Sequence, residues 1–147
     1  MSIEPDIRLA ESGDREFVIE LDTQLRASVE GHRGGAGWLA EHPGIVGSID
    51  RCRVWVAVIE GAVVGFLASR TSRDDRGGVM TVDRVFVHPS ARELGCGDAL
   101  LAACMAEAKR SGCAVLDATA LPGDRETKNL YERAGVTARS IVLSRDL

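Results

Sequence analysis

A chain of 147 residues, 45% hydrophobic and 27% charged, has the length and apolar content of one compact domain, residues 1–147, and lacks the one-sided charge of a disordered chain. Its net charge of −4 excludes the broadly basic surface of a nucleic-acid binder, so an anionic ligand must be attracted locally. No apolar run is long enough to span a membrane, which sets a membrane function aside.

Taken in chain order, Ile7–Ala10 is a short apolar segment with strand character. Ser12 or Asp14 offers a cap, and Phe17, Val18, Leu21 and Leu25 follow at helical spacing, which predicts a first helix. From Ser28 to Asp50 seven glycines and prolines break the pattern into loops, with a short helix around Trp38 and Leu39. Arg53–Ile59 (RVWVAVI) and Val63–Ala68 flank Glu60-Gly61 as a hairpin, and Val79–Val87 is the next strand after a turn at Asp74–Gly78. A helix carrying Leu100, Leu101, Cys104, Met105 and Ala108 on one face comes next, with Gly112 behind it. Ala114–Leu121 is a further strand. Pro122-Gly123 turns it, and Asp124 caps a helix with Leu130, Tyr131 and Ala134 that Gly135 stops. The β-branched run Val136–Leu143 predicts a last strand. Hairpin-joined strands ahead of a β-α-β unit give a mixed α/β (α+β) sheet with helices on its faces.

The stretch that carries chemistry is Val82–Leu101, VDRVFVHPSARELGCGDALL. A strand ends at His88-Pro89, a loop supplies Arg92, Gly95 and Gly97, and a helix begins. The first amides of a helix have no partner inside it and sit at the positive end of its dipole, where a phosphate is stabilised. Arg92 adds a donor fork suited to phosphate oxygens. Without Gly-Lys-Ser/Thr or a third glycine, the loop is neither a Walker loop nor a dinucleotide fingerprint.

The Arg92-x-x-Gly95-x-Gly97 loop after Val87-His88-Pro89, followed by Leu121-Pro122-Gly123, Leu130-Tyr131-Glu132 and Gly135, resembles the acetyl-CoA signature of the GNAT superfamily of N-acetyltransferases. The resemblance is strong from Val79 to Gly135 and weaker over Arg53–Arg70. It is absent from Ala27 to Asp50, which in this family shapes the acceptor pocket. It implies a mostly antiparallel sheet flanked by helices and splayed at the cofactor strand, and transfer of acetyl from acetyl-CoA to a primary amine in a ternary complex. Val85, Phe86 and Val87 would pair with the pantetheine arm, and Arg92, Glu93, Leu94, Gly95, Cys96, Gly97 and Asp98 would wrap the pyrophosphate. An amide near Val87 would face the oxyanion, and Tyr131 would protonate the leaving thiolate. Asp124 stands where many members have Asn against the pantetheine, and Glu93 where Gly is common. The implied acceptor is a small-molecule, peptide or protein amine, and the family allows a homodimer.

Plainer readings stand beside these. Tyr131, the only tyrosine, could be a packing residue. Asp83, on the face of Val85 and Val87 by strand alternation, is a candidate base or the partner of an arginine. Glu20, Asp22, Glu30, His32 and Glu41 are further candidates whose simplest reading is a solvated helix face. Cys96 at a helix N-terminus should have a lowered thiol pKa, yet no histidine is placed to assist it. Trp38 is a candidate wall of the acceptor site. Cys52, Cys96, Cys104 and Cys113 show no Cys-x-x-Cys spacing, and His32, His42 and His88 no ligand spacing, so no metal is expected. Unpaired thiols and a polar start, Met1–Asp6, lead us to expect a cytoplasmic protein. The rival to an enzyme is a non-catalytic acyl-CoA sensor or structural module; a plain phosphate-binding regulatory domain is a third reading.

Overall fold

The computed structural model describes residues 3–147; Met1 and Ser2, part of the acidic start, lie outside the described residues. Strands β1 (Asp6–Leu9), β2 (Arg53–Ile59), β3 (Ala62–Asp74), β4 (Gly77–Val87) and β5 (Val115–Ala118) form one sheet in that order. The pairs are antiparallel except β4–β5, which is parallel because helix α3 (Cys96–Arg110) makes the crossover. Glu60 and Gly61 both have positive φ, 49° and 80°, which suits the tight β2–β3 hairpin.

Two cores cover the two faces. Trp55, Leu67, Met80, Val82 and Val85 pack beneath Leu100, Leu101 and Cys104 of α3 and beneath Leu130 and Tyr131 of α4 (Arg125–Arg133). On the other face Val54, Val56, Phe66, Ala68 and Phe86 meet Val18, Leu21, Leu25 and Val29 of α1 (Arg15–Val29). Trp38 and Leu39 of α2 (Gly35–Glu41) pack at the margin of this second core. The buried stripe of α1 is Val18, Leu21, Asp22, Leu25 and Val29, so Phe17, expected on it, is turned away and 53% exposed. Arg8 on β1 grips Asp14 with two hydrogen bonds of 2.6 and 3.1 Å, and Asp14 accepts the Glu11 amide at 2.7 Å, which fixes the entry to α1. These bonds hold the Asp14 carboxyl below its ordinary pKa, the Arg8 bond contributing most.

Two expectations need correction. On β4, Val82 pairs with Ser69 and Arg84 with Ala68, so Asp83 is an extra residue, a β-bulge. The bulge shifts the strand's alternation by one residue. Val82 and Val85 therefore both face α3, while Arg84 and Phe86 face α1, and Asp83 does not share the face of Val85. Second, Val136–Leu143 forms no strand: residues 136–147 carry no regular structure, and Ile141, Val142 and Leu143 are 76%, 89% and 88% exposed. β-Branched composition gives strand propensity, but a strand exists only through a partner, and in a single copy this run has none.

Candidate active site

β5 pairs with β4 only along Val79–Val82 and ends at Ala118, whereas β4 runs on to Val87. Beyond Val82 the two strands part, and residues 83–87 present an open edge. The His88 N–H donates to the Val64 carbonyl at 2.7 Å, so by alternation the Phe86 peptide groups face β3 and those of Val85 and Val87 face the gap. Extended amides of a ligand lying in that gap would find both donors and acceptors there. The Val87 carbonyl is already engaged, accepting from Arg92 Nε at 3.3 Å, which leaves its N–H toward the gap.

The loop beyond Val87 delivers a helix N-terminus to the mouth of the gap. A short 3-10 turn, Pro89–Ala91, is capped by His88, and Glu93 and Gly95 then adopt left-handed φ of 67° and 80°. The N-cap of α3 is Gly95, which has no side chain to occupy the first-turn amides of Cys96, Gly97 and Asp98. Gly97 has a packing reason too, since an added Cβ would lie 3.4 Å from the Leu130 side chain. Leu94 and Glu93 are exposed. Arg92 bonds Val87, sits 5.6 Å over the Phe86 ring and pairs with Glu126 at 3.1 Å, thereby tying the strand end to α4. Asp98 pairs with Arg133 at 3.0 Å, a second tie between α3 and α4. Cys96 is buried, and burial pushes its thiol pKa up. The lowering expected from the helix terminus is outweighed, which removes the ground for a nucleophilic role.

At the splay itself, between β4 and the chain that leaves β5, a narrow cleft of about 30 Å³ is lined by Leu25, Trp38, Arg84, Val85, Thr119, Asp124 and Tyr131, among others. That volume holds about two waters. Tyr131 is 6% exposed; burial, aided by the nearby Asp124, raises its phenol pKa well above the ordinary value. Asp124 does what a helix cap does: its carboxylate accepts the Thr127 N–H at 3.2 Å and hydroxyl at 2.6 Å. Arg84 is the group the sequence reading missed. Its guanidinium donates to Asp22 at 2.8 Å and to Asp83 at 2.7 Å, lies 5.7 Å from the Trp38 ring centre, and borders the cleft. Burial lowers its pKa, but the bonds to Asp22 and Asp83 prevail and hold it raised. Trp38 in turn stacks on His42 at 4.1 Å and 7°. Asp22, expected on a solvated face, is 2% exposed and also accepts the Ile45 amide. Asp83 holds Arg84 and does not line the cleft. Glu20, Glu30 and Glu41 do not line it either, and His32 sits at a neighbouring opening with Arg33, Pro122 and Gly123.

A sheet splayed between two parallel strands, a helix N-terminus with no side-chain cap at the end of the gap and a buried phenol lining the cleft thus meet at the C-terminal end of β4. The chain belongs to the GNAT acetyltransferase family: the profile described as "Acetyltransferase (GNAT) domain" matches residues 50–137, more than half of it. No curated protein matches. Among solved structures, it is similar to the aminoglycoside N-acetyltransferase AAC(6')-Iy in complex with CoA, with 22% identity, TM-score 0.75, and 99% of this chain and 97% of that one covered. It is also similar to glucosamine-6-phosphate N-acetyltransferase from Arabidopsis thaliana, with 23% identity, TM-score 0.69 and 97% of each chain covered. An acetyltransferase from Trypanosoma brucei aligns with 20% identity, TM-score 0.71, and covers 98% of this chain and 100% of that one.

Proposed function

We propose that this protein transfers an acetyl group from acetyl-CoA directly to the primary amine of a small molecule, with both substrates bound at once. The observation that carries the proposal is the conjunction of the β4–β5 gap with the open α3 N-terminus at its mouth. In this reading the Val85 peptide groups hold a pantetheine amide, the Val87 N–H is kept for the thioester oxygen, and the first-turn amides of α3 hold the pyrophosphate. The amine enters from the side of Trp38 and Tyr131. Its nitrogen attacks the thioester carbon, the new C–N bond forms, and negative charge gathers on the carbonyl oxygen opposite the Val87 N–H. The C–S bond then breaks, the sulfur takes a proton and the amine loses one.

Tyr131 supplies the proton to the sulfur. Its raised pKa keeps the phenol protonated at neutral pH but makes outright transfer to a thiolate uphill, so the phenol gives its proton as it receives the one shed by the attacking nitrogen. Asp83 serves by fixing Arg84, and Arg84 by setting the wall against which the amine is placed. Neutralising one guanidinium with two carboxylates leaves that wall net negative, which suits a cationic acceptor. The acceptor is placed among small amines because the cleft is narrow and Trp38 closes its side. Two neighbours of the same fold are named for sugar-type amines, aminoglycosides and glucosamine 6-phosphate, which are small molecules of this kind.

The test is thiol release from acetyl-CoA across a panel of amino sugars, polyamines and peptides. Turnover with a small amine is the expected result. Binding of acetyl-CoA with no thiol release from any amine would leave a sensor. Tyr131→Phe should lower kcat by about 10²-fold or more with little change in CoA affinity. An equal loss in both would remove Tyr131 from the proton transfer.

A further inference from the structure

The acetyl transfer proposed above leaves one proton without a destination. At neutral pH a primary amine is almost wholly an ammonium; the free base is about one part in a thousand for a group as basic as lysine. The attacking nitrogen must therefore shed two protons, and Tyr131 conveys only one of them to the sulfur. Among the described residues that line the cleft, Asp124 is the only carboxylate. Asp22 and Asp83 are turned to Arg84, and neither lines it. The first turn of α4 fixes Asp124: one oxygen accepts the Thr127 N–H at 3.2 Å and the other the Thr127 hydroxyl at 2.6 Å. A carboxylate accepts about four hydrogen bonds, so each oxygen keeps capacity for a ligand. Its charge is felt by the Tyr131 phenol in the same cleft. Arg84 of β4, neutralised by its two carboxylates, borders that cleft too, and His32 lies across the turn, 3.3 Å from where a Cβ on Gly123 would stand.

Resting on that acetyl-transfer reading, we infer that Asp124 binds the acceptor as its ammonium and takes the first proton from it. An N–H bond breaks, an O–H bond forms on the carboxylate, and the lone pair left on nitrogen attacks the thioester carbon. A cleft with room for about two waters solvates a pair of opposite charges poorly, which favours the neutral pair of carboxyl and free amine. The second proton passes by way of Tyr131 to the sulfur, and the Asp124 carboxyl gives the first to water as the amide leaves. Each turnover thus converts an ammonium and a thioester into an amide, a thiol and one released proton. The residue type matters here. The Asn that many members of the family have at this position caps a helix as well as Asp does, but an amide cannot take the proton.

Asp124→Asn keeps the cap and removes the base, so it provides the test. With the fastest acceptor of the amine panel, kcat/KM of both enzymes is followed from neutral pH up to the pKa of that amine. The wild type uses the ammonium and should stay level. The variant depends on the free amine: it should start about 10²-fold lower and climb about tenfold per pH unit until the two converge. His32 is present in both enzymes, so its titration cancels in the ratio. A loss of the same factor at every pH would mark a structural defect and overturn the inference, as would no loss. A weakened affinity for CoA with an unaltered pH profile would give Asp124 to the pantetheine and also overturn it. Asp124→Ser, which caps a helix too, provides the same comparison if the Asn variant folds poorly. Thiol release from no amine by the wild type would overturn acetyl transfer itself, and this role with it.

Discussion

Glu93 holds a left-handed φ of 67° at the entrance to the helix that receives the pyrophosphate in our proposal. For a residue with a Cβ this conformation costs about 1 kcal/mol relative to glycine, and the carboxylate stands beside the proposed anion. Glu93→Gly should therefore bind CoA more tightly, several-fold at low salt and less so at high salt, as calorimetry at two ionic strengths would show. An unchanged affinity would mean that the pyrophosphate lies elsewhere. The sequence pointed to this loop because Arg92, Gly95 and Gly97 stand at a strand-to-helix junction in the spacing of the GNAT signature. It could not show that Arg92 is committed to Val87 and Glu126, since those partners come from two separate elements, β4 and α4.

At the scale of elements, the Asp22–Arg84–Asp83 cluster joins α1 to β4 through side chains that are 3%, 2% and 12% exposed. Removing one member strands a buried charge. Asp22→Ala should cost about 3–5 kcal/mol and lower the melting temperature markedly. Asp22→Asn, which can still accept from Arg84 and the Ile45 amide, should cost less. Urea denaturation of the two variants checks the order, and equal losses would mean that packing, not charge, dominates. Sequence reasoning assigned Asp22 to solvent because acidic residues on helices usually are there. The pairing that buries it spans more than sixty positions and depends on a bulge that alternation alone cannot reveal. The helices and the three central strands were legible for the opposite reason, since their periodicity is local. The strand expected at Val136–Leu143 does not form, because β-branched composition supplies propensity but no pairing partner.

For the whole molecule, stability should fall on the alkaline side. Burial pushes the Cys104 thiol up to about 11 from an ordinary 9.0. Between those values the unfolded chain gives up this proton and the folded chain keeps it, so raising the pH favours unfolding. Two pKa units correspond to about 2–3 kcal/mol, and the buried Tyr131 phenol adds a loss of the same sign beginning near pH 10. Urea titrations from pH 8 to pH 11 should show this decline, and Cys104→Ala should flatten its first part. A stability independent of pH over that range would show that the thiol is not held neutral by the fold.

The bulge at Asp83 works as a parity switch. Upstream of it, even-numbered side chains such as Met80 and Val82 point at α3; downstream, odd-numbered Val85 does. Deleting that single residue would leave Val82 and Arg84 adjacent, as their partners Ser69 and Ala68 already are, so the alternation would become regular and each side chain would keep its face, while the carboxylate that steadies Arg84 would be gone. Shortening β4 at this one position is therefore a milder lesion than shortening it elsewhere, where no bulge absorbs the change and every side chain beyond the cut would trade faces.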